Sequence, residues 1–155
     1  MTADLRSELR QKKPFESLQQ EAHLNVVRTF AMLQNAFEQL FKPYGISNTQ
    51  YNVLRILRGA EPGGLCRNEL RDRLLTRMPD VTRLLDRMEE VGLVERERDT
   101  ADRRLVTTRL TKQGRRLVDE LDEAVSAEHQ RTLGHLKKTQ LTSLVELLSL
   151  AREKL

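Results

Sequence analysis

The chain has 155 residues, 38% hydrophobic and 32% charged, with few aromatics. That suits one compact domain, or one with helical extensions, and fits a helix-rich protein that completes a modest core by pairing with a second chain. One cysteine, Cys66, excludes an internal disulfide framework and points to a reducing cytoplasm. No apolar run reaches the roughly 20 residues a membrane span needs, so no membrane partner is expected. The net charge of +4 is concentrated between Arg67 and Arg116, where 14 basic residues, 13 of them arginine, face 10 acidic ones; the rest of the chain is balanced. Arginine presents a planar fork that fits phosphate oxygens and guanine edges. A local arginine excess is the footprint of a nucleic-acid partner, or else a solvated, salt-bridged surface.

Met1 to Pro14 is polar and reads as a loosely ordered lead-in. Phe15 to Phe41 repeats apolar residues at three- and four-residue spacing and predicts a long helix, stopped by Pro43 and Gly45. Ser47 is a cap for a second helix, Asn48 to Gly59. Glu61 to Gly64 is a turn, and Cys66 to Leu74 predicts a short third helix with Leu70 and Leu74 inward. A fourth helix is expected from Arg77 to Val91, capped by Thr76 with Pro79 in its first turn. Its apolar stripe is Val81, Leu84, Leu85 and Met88, and Gly92 ends it. Leu93–Arg98 and Arg104–Leu110 are strand candidates joined by the polar connection 99–103. Thr111 caps a long helix through Val125, and a last helix runs from Gln140 to Leu155.

A short helix, a turn, a second helix and a basic hairpin, in that order, make a winged helix-turn-helix. The expected fold is mainly α, with a small β-hairpin wing and flanking dimerisation helices. Residues 47–110 form the DNA-binding part, and 15–45 and 111–155 the dimerisation part, of a single domain 1–155. A helix of this kind enters the major groove while the wing reaches the flanking minor groove or backbone. The candidate DNA-binding residues are Arg77, Asp80, Thr82, Arg83, Arg87, Arg98, Asp102, Arg103 and Arg104. Arg83 and Arg87 have a blander reading, as solvated arginines paired with Asp80, Asp86 and Glu90.

The runs Val81-Thr-Arg-Leu-Leu-Asp-Arg-Met88, Gly92-Leu-Val94, Arg98-Asp-Thr-Ala-Asp-Arg-Arg104 and Leu110-Thr-Lys-Gln-Gly114 resemble the MarR family of bacterial transcription regulators. The resemblance implies a triangular homodimer on a pseudo-palindromic operator, usually repressing. Release by a small lipophilic or phenolic effector, or by thiol oxidation, is also implied. It assigns Asp102 and Arg104 to the wing tip, the arginine entering the minor groove and the aspartate orienting neighbouring arginines. The family usually has glycine in the turn before the recognition helix, where this chain has Leu75, and serines where it has Arg77 and Pro79.

The aromatics Phe30, Phe37, Tyr44 and Tyr51 either line an effector pocket or form the dimer core, and helical spacing favours the core. Cys66 reads as a small residue capping the third helix, with a redox switch as the other reading. His23, His129 and His135 are scattered and match no metal motif, so neither metal nor cofactor is expected. No Gly-rich phosphate loop, HExxH or GxSxG occurs, so an enzyme is not expected. A protein–protein adaptor is the alternative function, and it calls for a wing without the exposed basic residues found here.

Overall fold

The computed structural model describes residues 4–102 and 104–155. The elements are α1 (Leu5–Glu8), α2 (Leu18–Phe41), α3 (Asn48–Gly59), β1 (Leu65–Cys66), α4 (Arg67–Arg73), α5 (Val81–Glu90), β2 (Val94–Arg98), β3 (Val106–Leu110), α6 (Lys112–Leu133) and α7 (Lys138–Arg152). The three strands form an antiparallel sheet in the order β1-β3-β2. The order of elements is that of a winged helix-turn-helix between long helices, as the sequence predicts.

Local chemistry sets most boundaries. Ser47 accepts the Gln50 N–H while Gln50 accepts the Ser47 N–H, a reciprocal cap at the start of α3. Ser17 accepts the Gln20 N–H and starts α2 three residues after the expected Phe15. The lead-in holds one helical turn, α1, whose Leu5 is buried and whose Glu8 lies 3.8 Å from Arg28. Asp4 caps that turn through the Ser7 N–H, so this part of the chain is tied down rather than loose. α6 continues past Val125 to Leu133, and α7 starts at Lys138 and ends at Arg152.

The fourth predicted helix is shorter than expected. It starts at Val81, and its cap is Asp80, whose carboxylate accepts the Arg83 N–H at 2.9 Å, not Thr76. The physical reason is Pro79. A proline holds the residue before it out of the helical region, so Met78 cannot continue a turn begun at Arg77. Pro79 therefore lies ahead of the helix. At the other end Gly92, at φ +76°, donates to the Glu89 carbonyl, and Leu93 donates to that of Met88.

The core lies where α3, α4, α5 and α6 meet. Val53, Leu54, Leu57, Leu70, Leu85, Met88, Val118 and Leu121 are all essentially inaccessible. β1 pairs Leu65 with Thr108 and Cys66 with Thr107, a third strand that the sequence reading did not contain. The β2–β3 hairpin pairs Val94 with Leu110 and Arg98 with Val106, so Arg104 sits in the wing connection and not in a strand.

Arg58 of α3 clamps the winged unit to α6, donating to Asp119 and Asp122 at 2.8 Å. Arg115 bonds Asp119 and reaches Glu61. The Arg58 guanidinium holds both aspartate carboxyls below the ordinary value of 3.8. A depressed folded pKa adds stability above the ordinary value, and that stability is lost as pH falls through the folded one. The melting temperature should therefore drop in acid below about pH 4. This acid limb should be shallower in Arg58→Met, as thermal melts across a pH series will report. These carboxylates are well exposed, so the effect is small.

Candidate nucleic-acid interface

The arginines of the basic third divide into two sets by partner. Arg96 on β2 binds Asp86 and Glu89 of α5, each at 2.6 Å. Arg109 on β3 binds Glu97 at 2.7 Å and the Gly63 carbonyl at 3.2 Å. Arg71 and Arg115 also have acidic neighbours. Arg96 and Arg109 are thereby consumed in holding the sheet to its neighbours, Arg115 pairs along α6, and Arg71 pairs only with the adjacent Asp72.

The second set is exposed: Arg77 ahead of α5, Arg83 and Arg87 on it, and Arg98 and Arg104 on the wing. The blander reading of Arg83 and Arg87 needs the acids Asp80, Asp86 and Glu90. Asp80 accepts the backbone N–H of Arg83 as the helix cap, and Asp86 is taken by Arg96. Among the described residues Arg83 and Arg87 make no ion pair, and being four apart they share one face of α5. Thr82 is exposed beside them and accepts a hydrogen bond from Arg67 at 3.2 Å. The sequence reading did not name Arg67 or Arg96.

The wing tip is held by side chain to backbone bonds. Asp99 accepts the N–H groups of Ala101 and Asp102, and Asp102 accepts that of Arg104 at 3.0 Å. The Asp99 carboxyl is thereby held below its ordinary value, chiefly by the Asp102 N–H. Asp102 thus fixes the backbone that carries Arg104, and among the described residues its bond is to that N–H. Arg103 lies outside the described residues. Between α4, α5 and the wing is a cleft of about 290 Å³, with Arg67, Thr82 and Arg104 on its walls.

Between α2, α3 and α6 a cavity of about 230 Å³ brings together Phe30, Phe37, Tyr51, His129 and Arg55. The Phe37 ring lies 4.8 Å from the His129 ring, and Phe41 stacks on Tyr51 at 4.4 Å. Burial raises the Tyr51 phenol above its ordinary value of 10.0. Asn48 donates to the Gln34 carbonyl there, and its own buried oxygen accepts nothing among the described residues. Tyr44 is not part of this cavity. The turn that ends α2 carries it to a separate hollow with Leu93, Lys112 and Arg116. Among the described residues no three His, Cys, Asp or Glu side chains converge as a metal site would require. Cys66 caps α4, where its N–H donates to Glu69 at 2.8 Å.

Residues 44–105, the winged unit up to the start of β3, match the sequence model of the MarR family. The crystal structure of a MarR transcription factor from Planctomyces limnophilus is 41% identical, with a TM-score of 0.68, covering 88% of this chain and 99% of that one. The chain belongs to the MarR family. A second similarity is to the HTH-type transcriptional regulator FarR of Neisseria gonorrhoeae, 27% identical over 136 residues, or 88% of this chain and 92% of FarR. BpsR of Bordetella bronchiseptica, solved to explain how 6-hydroxynicotinic acid regulates its DNA binding, is 26% identical, with a TM-score of 0.77 over 91% of this chain and 99% of BpsR. The chain is thus a MarR-family transcription regulator. Among its described residues no helix is long and apolar enough to cross a membrane.

Proposed function

We propose that this MarR-family regulator binds a pseudo-palindromic DNA operator as a cytoplasmic homodimer, represses by occluding a promoter, and performs no catalysis. The observation that carries the reading is the exposed arginine set on α5 and the wing, which makes no ion pair among the described residues while Asp80, Asp86 and Glu89 are engaged elsewhere. Residues 47–110 supply the DNA-binding part. Arg77, Thr82, Arg83 and Arg87 present donors to the major groove. Arg98, Arg103 and Arg104 serve the flanking minor groove and phosphates, with Asp102 and Asp80 holding backbone.

The dimer is supported by apolar surface that a single chain leaves in water. Leu18, Val26 and Phe30 of α2 are at least half exposed, and α7 buries no residue while exposing Val145, Leu147 and Leu150. A second copy covering the helices of 15–45 and 111–155 removes that surface from solvent. Two recognition helices must then lie one DNA turn apart, about 34–36 Å, to read both half-sites.

The cavity of Phe30, Phe37 and Tyr51 fits a small phenolic or lipophilic effector. Its walls are aromatic, and the unpartnered Asn48 oxygen calls for a hydrogen-bond donor such as a phenol O–H. Binding there would shift the spacing of the two α5 helices and release the operator.

Selection from random duplexes, followed by a salt series with Arg104→Ala, tests the reading. The expected result is a near-palindromic site with a steep salt slope. In the variant, affinity falls about tenfold and the slope by about one. A protein that enriches no duplex sequence would falsify the proposal.

A further inference from the structure

We infer that Arg67, at the start of α4, is a positioning residue of the DNA interface that fixes the Thr82 hydroxyl as a hydrogen-bond donor toward the operator. The inference rests on the DNA-binding reading above.

Arg67 is set in place from both sides. The preceding residue, Cys66, is paired with Thr107 in the sheet, and the Cys66 N–H is capped by Glu69. From there the guanidinium reaches 15 residues along the chain to Thr82 on α5, donating through Nη1 to Oγ1 at 3.2 Å. Arg67 makes no ion pair among the described residues. The contact therefore does not compete with a nearby carboxylate, as those of Arg96 and Arg109 do.

A threonine hydroxyl carries one donor and two acceptor lone pairs. In a helix the side chain divides between two rotamers, one of which exchanges the positions of hydroxyl and methyl. A fixed guanidinium donor removes that freedom. It occupies a lone pair, holds the oxygen toward α4 and leaves the hydroxyl proton to seek an acceptor elsewhere. Thr82 is exposed on α5, next in sequence to Arg83, and lies on the wall of the cleft that Arg104 also lines. Its donor therefore meets the groove, where guanine N7 and O6, adenine N7 and thymine O4 accept, whereas the cytosine N4 amino group donates. Without Arg67 the same side chain presents hydroxyl or methyl indifferently.

Base-preference profiles of the wild type, Arg67→Met, Arg67→Lys, Thr82→Val and the double variant Arg67→Met/Thr82→Val test this, with thermal melts alongside. The expected outcome is a change at one base position per half-site, the same position for Arg67→Met and Thr82→Val. Discrimination there falls about fivefold, the worth of one net hydrogen bond. The double variant shows no further loss at that position, Arg67→Lys retains most of the preference because it keeps a donor, and melting temperatures stay together. If Arg67→Met weakens binding to all sequences equally and leaves the profile intact, Arg67 is a phosphate contact and the inference is overturned. A shift in melting temperature with an unchanged profile overturns it as well, since the bond then serves only to pack α4 on α5. A wild type that enriches no sequence overturns the DNA-binding reading itself, whereas an enriched operator with unchanged variants overturns only the role of Arg67.

Discussion

Gly114→Ala is expected to cost about 3 kcal/mol or more and to lower the melting temperature by about 10 °C. Gly114 lies in the first turn of α6, where any Cβ would overlap the carbonyl oxygen of Leu93. That contact cannot relax cheaply, because both sides are fixed. The Thr111 hydroxyl donates to the Gly92 carbonyl at 2.6 Å and accepts the Gly114 N–H at 3.0 Å, while the Thr111 N–H donates to Leu93. The four residues weld the end of α5, the start of the wing and the start of α6 into one joint. A methyl group there must break part of it, and the wing loses its register with the long helix. Gly59→Ala is the control. It lies at the last position of α3, a Cβ there meets nothing, and removing glycine from a helix is neutral or stabilising by up to about 1 kcal/mol. Thermal melts of the two variants should separate widely; equal melting temperatures would sink the account of the joint.

The same joint shows why some of the fold was legible in the sequence. Ser47, Thr111 and Gly92 act within four residues of themselves, and a cap or a stop that depends on so short a stretch is written in the order of residues. The apolar stripe Val81, Leu84, Leu85 and Met88 is likewise local, and all four are buried. The start of that helix was not legible, because two local signals competed. Thr76 with a proline three residues on looks like a cap, but the same proline bars Met78 from the helical region, and the cap that Asp80 gives the Arg83 N–H fixes the later start. β1 has two residues, too few to show any period, and exists because β3 offers it an edge. The turn α1 is equally short and is held by burial of Leu5.

The site was legible in kind and not in its wiring. The arginine excess and the order helix, turn, helix, hairpin located the face. Which arginines are left for a ligand depends on pairs distant in sequence, such as Arg109 with Gly63 and Arg58 with Asp122. Arg67 was passed over because its partner lies 15 residues away on another helix. Tyr44 was grouped with Phe30, Phe37 and Tyr51 by composition, and the turn at Lys42–Tyr44 separates it from them.

Arg96→Met is expected to weaken operator binding by tenfold or more although Arg96 belongs to the set that holds the fold. Its guanidinium lies between β2 and α5, side chain 22% exposed, and pairs with Asp86 and Glu89 at once, offsetting one of their two charges. The Glu89 carboxyl is held below its ordinary value of 4.5, first of all by this bond, so it is fully charged at neutral pH. Removing the arginine leaves both carboxylates uncompensated on the helix that must approach DNA phosphates, so the local charge falls from −1 to −2 and repulsion grows. It also loosens the tie between recognition helix and wing, because both side-chain bonds to Glu89 are lost and only the backbone N–H of residue 96 still donates to it. The two effects separate by salt. Charge repulsion fades as the screening length shortens to about 8 Å at physiological ionic strength and about 3 Å at 1 M, whereas a loosened wing stays loose. Adding Glu89→Gln to Arg96→Met removes one of the exposed charges and should recover part of the affinity at low salt without restoring the tie. If Arg96→Met melts as the wild type does and binds the operator equally well, the acids near α5 are not what leaves Arg83 and Arg87 free, and the sorting of arginines into structural and DNA-facing sets fails at its central residue.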